Sequence, residues 1–211
     1  MEIATLHSHL AHHFKKWWEL ERMPWLDWIQ LEVTSQCNAA CTYCLRTVYR
    51  SHWDNRDISL DTFERLLPVF TKTKMAHLQG WGEPLMHKRF FDIVARVKKA
   101  GCKVGTTTNG MLLNRQEISR IVASGIDHVA FSLTGIGENN DTARKGTDFR
   151  KILQTISDLV AEKKALHVET PMINVAYLLL RSWPLISRSD SLPPVKNFYD
   201  IDVHENLYLL L

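Results

Sequence analysis

Three thiols crowd the segment TSQCNAACTYC, residues 34–44, where Cys37, Cys41 and Cys44 follow a C-x3-C-x2-C spacing. Thiolates are nucleophiles and soft metal ligands, and a mid-sized domain rarely spends three of them in one loop on packing. Disulfides suit this spacing poorly. They would close very small rings and leave one thiol over, unless the fourth cysteine, Cys102, reached it. A closed zinc site needs four ligands, commonly as two separated pairs, and this loop supplies three. In a cuboidal four-iron cluster, three thiolates would each hold one iron and leave the fourth open to a group that is not protein. The spacing alone leaves both the zinc and the iron–sulfur readings open.

Other polar clusters recur along the chain. QGWGEPLMH, residues 79–87, holds Gly82, Glu83 and Pro84; TTNG, residues 107–110, holds Asn109; Ser132 and Thr134 follow, and then Arg144. Each lies just after a strand-like run. WIQLEVT alternates Ile29, Leu31 and Val33 and leads into the cysteine loop. ISLDTFERLLPVF then offers Ser59 as an N-cap, with Leu60, Phe63, Leu66, Leu67 and Phe70 at helical spacing. The same strand, loop and helix order repeats with AHLQG and KRFFDIVARVKKAG, where Gly101 is the stop. It repeats with KVGTTT and a helix opened by the capping box Asn114 and Glu117 and closed by Gly125. A fourth unit runs from HVAFSL through a polar loop containing Arg144 to FRKILQTISDLVAEKK, and MINVAYLLL supplies a fifth strand. Strands joined by helices of ten or more residues pair in parallel with right-handed crossovers. The expected fold is α/β, an open doubly wound sheet or a βα barrel, and either form gathers the loops after the strands on one rim.

At 211 residues and 45% hydrophobic content the chain can bury one sizeable core. The net charge of +3 comes from charges spread along the sequence, without the basic stripe that a nucleic-acid surface needs. No apolar run approaches the roughly 20 residues that span a bilayer, and the start lacks the apolar core of a signal peptide. The expected location is cytoplasmic, where thiols stay reduced. The start carries Trp17, Trp18, Trp25 and Trp28 beside His7, His9, His12 and His13, which reads as an amphipathic helix up to about Arg22 with a solvated histidine face. Cys102, between Gly101 and Lys103, reads as a small buried apolar side chain.

The C-x3-C-x2-C loop with Tyr43 before its last cysteine, GWGEPLMH after the second strand and TTNG at the third together resemble the radical S-adenosylmethionine (radical SAM) enzymes over residues 28–181. The wording around these motifs is closest to members that mature peptides or cofactors. The resemblance implies a partial parallel (βα) barrel of about five strands. It implies that Cys37, Cys41 and Cys44 hold a four-iron four-sulfur (4Fe-4S) cluster, whose open iron is chelated by the amino and carboxylate groups of S-adenosyl-L-methionine (SAM). Reductive cleavage of SAM to a 5'-deoxyadenosyl radical, with hydrogen abstraction from a substrate, is the implied activity. Gly82, Glu83 and Pro84 match the segment that meets the SAM amino group, with Trp81 where relatives often have a first glycine. Ser132 and Arg144 map to positions for the ribose or carboxylate, and Asn109 to an adenosyl contact or to a turn before Gly110. The implied partners are a low-potential electron donor of the ferredoxin or flavodoxin type and a substrate, peptide or protein among the candidates. Three regions are expected: an N-terminal helical extension over 1–27, the catalytic core over 28–181 and an irregular tail over 182–211. No sixth unit is visible after Arg181, so a truncated cluster-binding protein without turnover is the alternative.

Overall fold

In a computed structural model of the chain the described residues are Lys15, Trp18 and residues 21–178. They form seven strands and six α-helices: β1 (Leu26–Leu31), β2 (Ala40–Cys41), α1 (Leu45–Val48), α2 (Leu60–Phe70), β3 (Thr73–Leu78), α3 (Phe90–Lys99), β4 (Lys103–Thr108), α4 (Arg115–Ala123), β5 (His128–Leu133), α5 (Glu138–Ala143), β6 (Arg144–Lys145), α6 (Phe149–Ala165) and β7 (Met172–Tyr177). Short 3-10 turns add Arg50–His52 and Pro84–Met86. The helix expected at the N-terminus lies outside the described residues apart from Lys15, Trp18, Glu21 and Arg22, and the tail expected over 182–211 lies wholly outside them. Among the described residues no helix is long and apolar enough to cross a membrane.

One five-stranded sheet of order β1-β3-β4-β5-β7 carries the fold, and every pair in it is parallel. Parallel neighbours need a crossover, and α2, α3, α4 and α6 provide the four. Alternation along each strand sorts side chains to two faces. Ala76, Leu78, Val104, Val129 and Phe131 turn to one face and are fully or almost fully buried with Phe63, Phe90, Ile93, Ile121 and Ile152 from the helices. The opposite face carries His77, Gly105, Thr107 and His128, where the register sets Gln30, His77, Gly105, His128 and Met172 side by side across all five strands.

The helix starts follow from local chemistry. Ser59 Oγ accepts the N–H of Thr62 at 3.0 Å, Asn114 Oδ1 that of Glu117 at 3.0 Å, and Asp148 Oδ1 that of Lys151 at 2.9 Å. Each such cap contributes about 1 kcal/mol. After α3 and α4 the chain turns at Gly101 and Gly125, with φ of 86° and 71°, in the left-handed region that glycine enters without a Cβ clash. Because all five strands run in the same direction, the loops that follow them share one rim.

The segment between β5 and α6 departs from the expected polar loop. It forms α5 and then β6, which pairs antiparallel with β2 so that Cys41 stands opposite Arg144 and Ala40 opposite Lys145. Gly146, at φ 92°, follows this pairing and passes close enough that a Cβ would lie 3.1 Å from the Asn38 oxygen.

Candidate functional site

The cysteine loop leaves the sheet through Val33 and Thr34, both buried, and is held by the segment before α2. Thr34 Oγ1 donates to Asp57 Oδ1 at 2.5 Å, Ser35 N–H to the Arg56 carbonyl at 2.9 Å and Ile58 N–H to the Val33 carbonyl at 2.9 Å. Arg46, just past Cys44, returns to the loop: its Nε donates to the Ser35 carbonyl at 3.2 Å and its Nη1 to that of Ala39 at 3.3 Å. Trp53 Nε1 also donates to the Ser35 carbonyl, at 3.1 Å. These bonds fix the backbone that carries the thiols.

Cys37, Cys41 and Cys44 are free and half-buried in this loop. Burial pushes the Cys37 thiol above its ordinary range, against the Ala39 N–H, which donates to its sulfur at 3.4 Å. Burial pushes Cys41 up as well, and the Arg144 guanidinium opposes that shift. Among the described residues no three His, Cys, Asp or Glu side chains converge as a site for one metal ion. Cys102 is 2% exposed at the start of β4, the end of the sheet away from the rim, as the sequence implied.

The GWGEP turn lies directly against this loop. Gly82 is the point of closest approach: a Cβ there would stand 2.0 Å from the Thr34 carbonyl oxygen and 2.7 Å from that of Gln36. The Glu83 N–H donates to the Gln36 carbonyl at 2.7 Å. The Glu83 carboxylate is buried and already engaged, Oε1 with the Thr108 hydroxyl at 2.7 Å and Oε2 with the Asn109 N–H at 2.7 Å. Burial nevertheless holds its pKa above the usual carboxylate range. Glu83 thereby ties the turn after β3 to the end of β4, a structural role its motif did not announce. Pro84 follows as the first residue of a 3-10 turn and is buried.

Asn109 takes the turn geometry anticipated for it and also reaches the cysteine loop. Its Oδ1 accepts the Met111 N–H at 3.0 Å, as a turn residue does, while its Nδ2 donates to Asn38 Oδ1 at 2.8 Å and lies 3.9 Å from Cys37 Sγ. On the other side of the loop, Tyr43 and Arg144 meet. Arg144 Nη1 donates to the Tyr43 hydroxyl at 2.7 Å, and that hydroxyl lies 2.9 Å from Thr134 Oγ1. Arg144 is 7% exposed and its Nε has no hydrogen-bond partner. A buried guanidinium with a spare donor is what an incoming carboxylate requires. Ser132 sits near the end of β5, paired with Ala176 of β7, on the face that also carries His128. Tyr43 thus meets Thr134 and not Ser132.

Sequence reasoning passed over the polar face of the sheet. His77 Nε2 pairs with Thr107 Oγ1 at 3.0 Å and His128 Nε2 with Asn174 Oδ1 at 3.0 Å, with the two rings 5.8 Å apart. Burial, reinforced by His128, lowers His77 to about 4. A cavity of about 10 Å³ lies among these side chains, room for a single water. A larger cavity, about 330 Å³, is lined by Val160, Lys163, Lys164, His167 and Val168 and lies away from the thiols. The signal for the histidine face was present as alternation, but only the pairing register shows that the two rings are neighbours.

A family model described as the Radical SAM superfamily matches residues 31–174. A tungsten-containing aldehyde ferredoxin oxidoreductase cofactor-modifying protein of Pyrococcus furiosus is 30% identical over 162 residues, covering 74% of this chain and 44% of its own length. A GTP 3',8-cyclase of Chlorobaculum tepidum is 31% identical over 140 residues, 64% of this chain and 42% of its own length. The chain therefore spans less than half the length of these curated relatives. Among solved structures, anSMEcpe with bound AdoMet matches with a TM-score of 0.58 at 20% identity, over 72% of this chain and 43% of that one. BtrN in complex with AdoMet and 2-DOIA matches with a TM-score of 0.53 at 19% identity, over 74% and 58%. These likenesses establish the shared fold, a partial barrel built on the five-stranded parallel sheet.

Proposed function

The chain belongs to the radical SAM superfamily, and from that premise we propose that Cys37, Cys41 and Cys44 hold a 4Fe-4S cluster and that the adjoining rim holds SAM. The reading extends to an enzyme that matures a peptide or a cofactor, with residues 28–181 as its catalytic core. The observation that carries it is the seating of the GWGEP turn on the cysteine loop through Gly82 and the Glu83 N–H. A cosubstrate bound at that turn lies beside whatever the three thiols bind.

When bound, the reduced cluster and SAM supply a carbon radical able to abstract hydrogen from a substrate. The chain's own residues bind, orient and shield. The three thiolates anchor, and each gives up its proton on binding, which burial of Cys37 and Cys41 makes more demanding. Asn109 Nδ2, close to Cys37 Sγ, offers a hydrogen bond to a ligating sulfur, one of the factors that set the potential of such centres. Arg144, with Tyr43 beneath it, offers its unpaired Nε to a carboxylate. Ser132 is left for the ribose at the end of β5, and Pro84 fixes the exit of the turn. The family relation to a cofactor-modifying protein supports the maturation reading. A low-potential donor of the ferredoxin or flavodoxin type is the partner this chemistry requires, and a reducing cytoplasm is the setting in which the thiols stay free.

Anaerobic reconstitution with iron and sulfide, followed by dithionite reduction in the presence of SAM, tests the reading. Iron, sulfide and 5'-deoxyadenosine are the quantities measured. The expected result is a brown protein that releases the nucleoside. Cys41→Ala should lose the cluster and Cys102→Ala should keep it. A cluster without nucleoside would replace the enzyme with a cluster-binding protein, and zinc without iron or sulfide would dismiss both.

A further inference from the structure

Glu32 plays no part in the reading above, yet its exposed side chain places its carboxylate against the GWGEP turn. Its Oε1 accepts the N–H of Trp81 at 2.6 Å and that of Gly82 at 3.3 Å. Gly80 makes the space, because a Cβ at that position would lie 2.3 Å from the same oxygen. A trans peptide is planar, so its N–H and its C=O point in opposite directions. The N–H of Trp81 shares a peptide with the carbonyl of Gly80, and the N–H of Gly82 shares one with the carbonyl of Trp81. Holding both N–H groups on the carboxylate therefore turns both carbonyls to the far side as a pair. A charged acceptor on the N–H side also polarises each peptide and strengthens its carbonyl as an acceptor. Two such carbonyls suit an ammonium, which has three donors and no acceptor.

We propose that Glu32 is a positioning residue that aims the Gly80 and Trp81 carbonyls at the amino group of the sulfonium amino acid. This rests on the proposed function for the identity of that ligand, and on the geometry of the turn for everything else. It also accounts for a tryptophan at position 81, where relatives often have glycine. The backbone N–H of Trp81 makes the bond to Glu32, the residue is 41% exposed, and the glycine is needed one place earlier to admit the carboxylate.

Three variants of the full chain test this: Glu32→Ala removes the acceptor, Glu32→Gln keeps one without the charge, and Gly80→Ala pushes the carboxylate aside. Amide hydrogen exchange at Trp81 and Gly82 in the metal-free chain is the first measurement. Exchange should speed up in Glu32→Ala and Gly80→Ala and stay protected in Glu32→Gln. Dissociation constants on the anaerobically reconstituted protein, without reductant, are the second. SAM affinity should fall about tenfold in Glu32→Ala and Gly80→Ala, the scale of losing hydrogen bonds to a charged group, and about threefold or less in Glu32→Gln. Binding of 5'-methylthioadenosine, which lacks the amino acid portion, and the iron content should not change. Unaltered amide exchange in Glu32→Ala, unaltered SAM affinity, or equal weakening of both ligands would each overturn the assignment. An iron-loaded wild type that binds neither ligand would remove the functional reading and this inference with it, whereas unaltered exchange alongside SAM binding by the wild type would remove this inference alone.

Discussion

Substituting Gly82 by alanine probes the contact on which the site depends. An added Cβ would stand 2.0 Å from the Thr34 carbonyl oxygen, where about 3.0 Å is the closest real approach, so the turn and the cysteine loop must separate by roughly 1 Å. The obstructing atoms are backbone, and Thr34 is pinned by Asp57 and buried at 2% exposure, so the loop cannot yield by a rotamer change. A shift of that size also stretches the Glu83 N–H bond to the Gln36 carbonyl, now 2.7 Å, past useful length. Overpacking of this kind costs about 1–3 kcal/mol and the lost hydrogen bond about 1 kcal/mol, giving about 2–4 kcal/mol in all. Gly105 supplies the control. A Cβ there meets Nδ1 of His77 at 2.7 Å and the terminal methyl of Met75 at 2.8 Å, side-chain atoms of which the methionine at least can swing away. Urea unfolding of the metal-free chain under reducing conditions, followed by circular dichroism, measures both. Gly82→Ala should be the more destabilised and should also take up less iron on reconstitution. If it unfolds within about 0.5 kcal/mol of wild type with full iron uptake, the two segments are not packed as described.

Two further outcomes follow from ionisable side chains held inside the fold. His77 is held at about 4 against an unfolded value of 6.5, so it stabilises the fold above pH 6.5, and that contribution is lost as the pH falls through 4; the difference corresponds to about 3 kcal/mol. His77→Gln should therefore lose less stability than wild type between pH 7 and pH 4 in paired urea titrations, and parallel curves would refute the assignment. Arg144→Met replaces a buried cation by an apolar side chain of similar length and removes the desolvation cost of its charge, while the Tyr43 hydroxyl keeps Thr134 as a partner. The metal-free variant should unfold no more easily than wild type, while the reconstituted protein loses at least about tenfold in SAM affinity. A marked loss of stability with SAM affinity intact would mean that Arg144 serves the fold alone.

Local chemistry made much of this legible in the sequence. Strand alternation, the caps at Ser59 and Asn114 and the stops at Gly101 and Gly125 depend on neighbours within a few residues, and each stands in the structure as the sequence suggested. The thiol spacing and the rim geometry of parallel sheets brought Cys37, Gly82 and Asn109 to one place on paper, and the fold does so in space. What stayed hidden depends on register between distant segments. β6 is two residues long, without any periodicity to betray it, yet it sets Arg144 opposite Cys41. Helix α5, with asparagines and aspartate in place of strong helix formers, looked like loop. Glu32 resembles any exposed charged residue near the end of a strand, and only the fold brings the Trp81 N–H of the turn after β3 onto its carboxylate. The adjacency of His77 and His128 required knowing that β4 places Gly105 between them.

The pairing of β2 with β6 has a consequence for how the protein is made. Tyr43 and Arg144 touch across 101 positions of sequence, and the thiol loop borrows its second edge from a segment that leaves the ribosome long after the cysteines do. At ordinary synthesis rates that interval is on the order of 5 to 20 s. During it the loop lacks the neighbouring strand and the Arg144 contact that the later segment brings. The cysteine loop takes its final form only after the fourth βα unit has emerged.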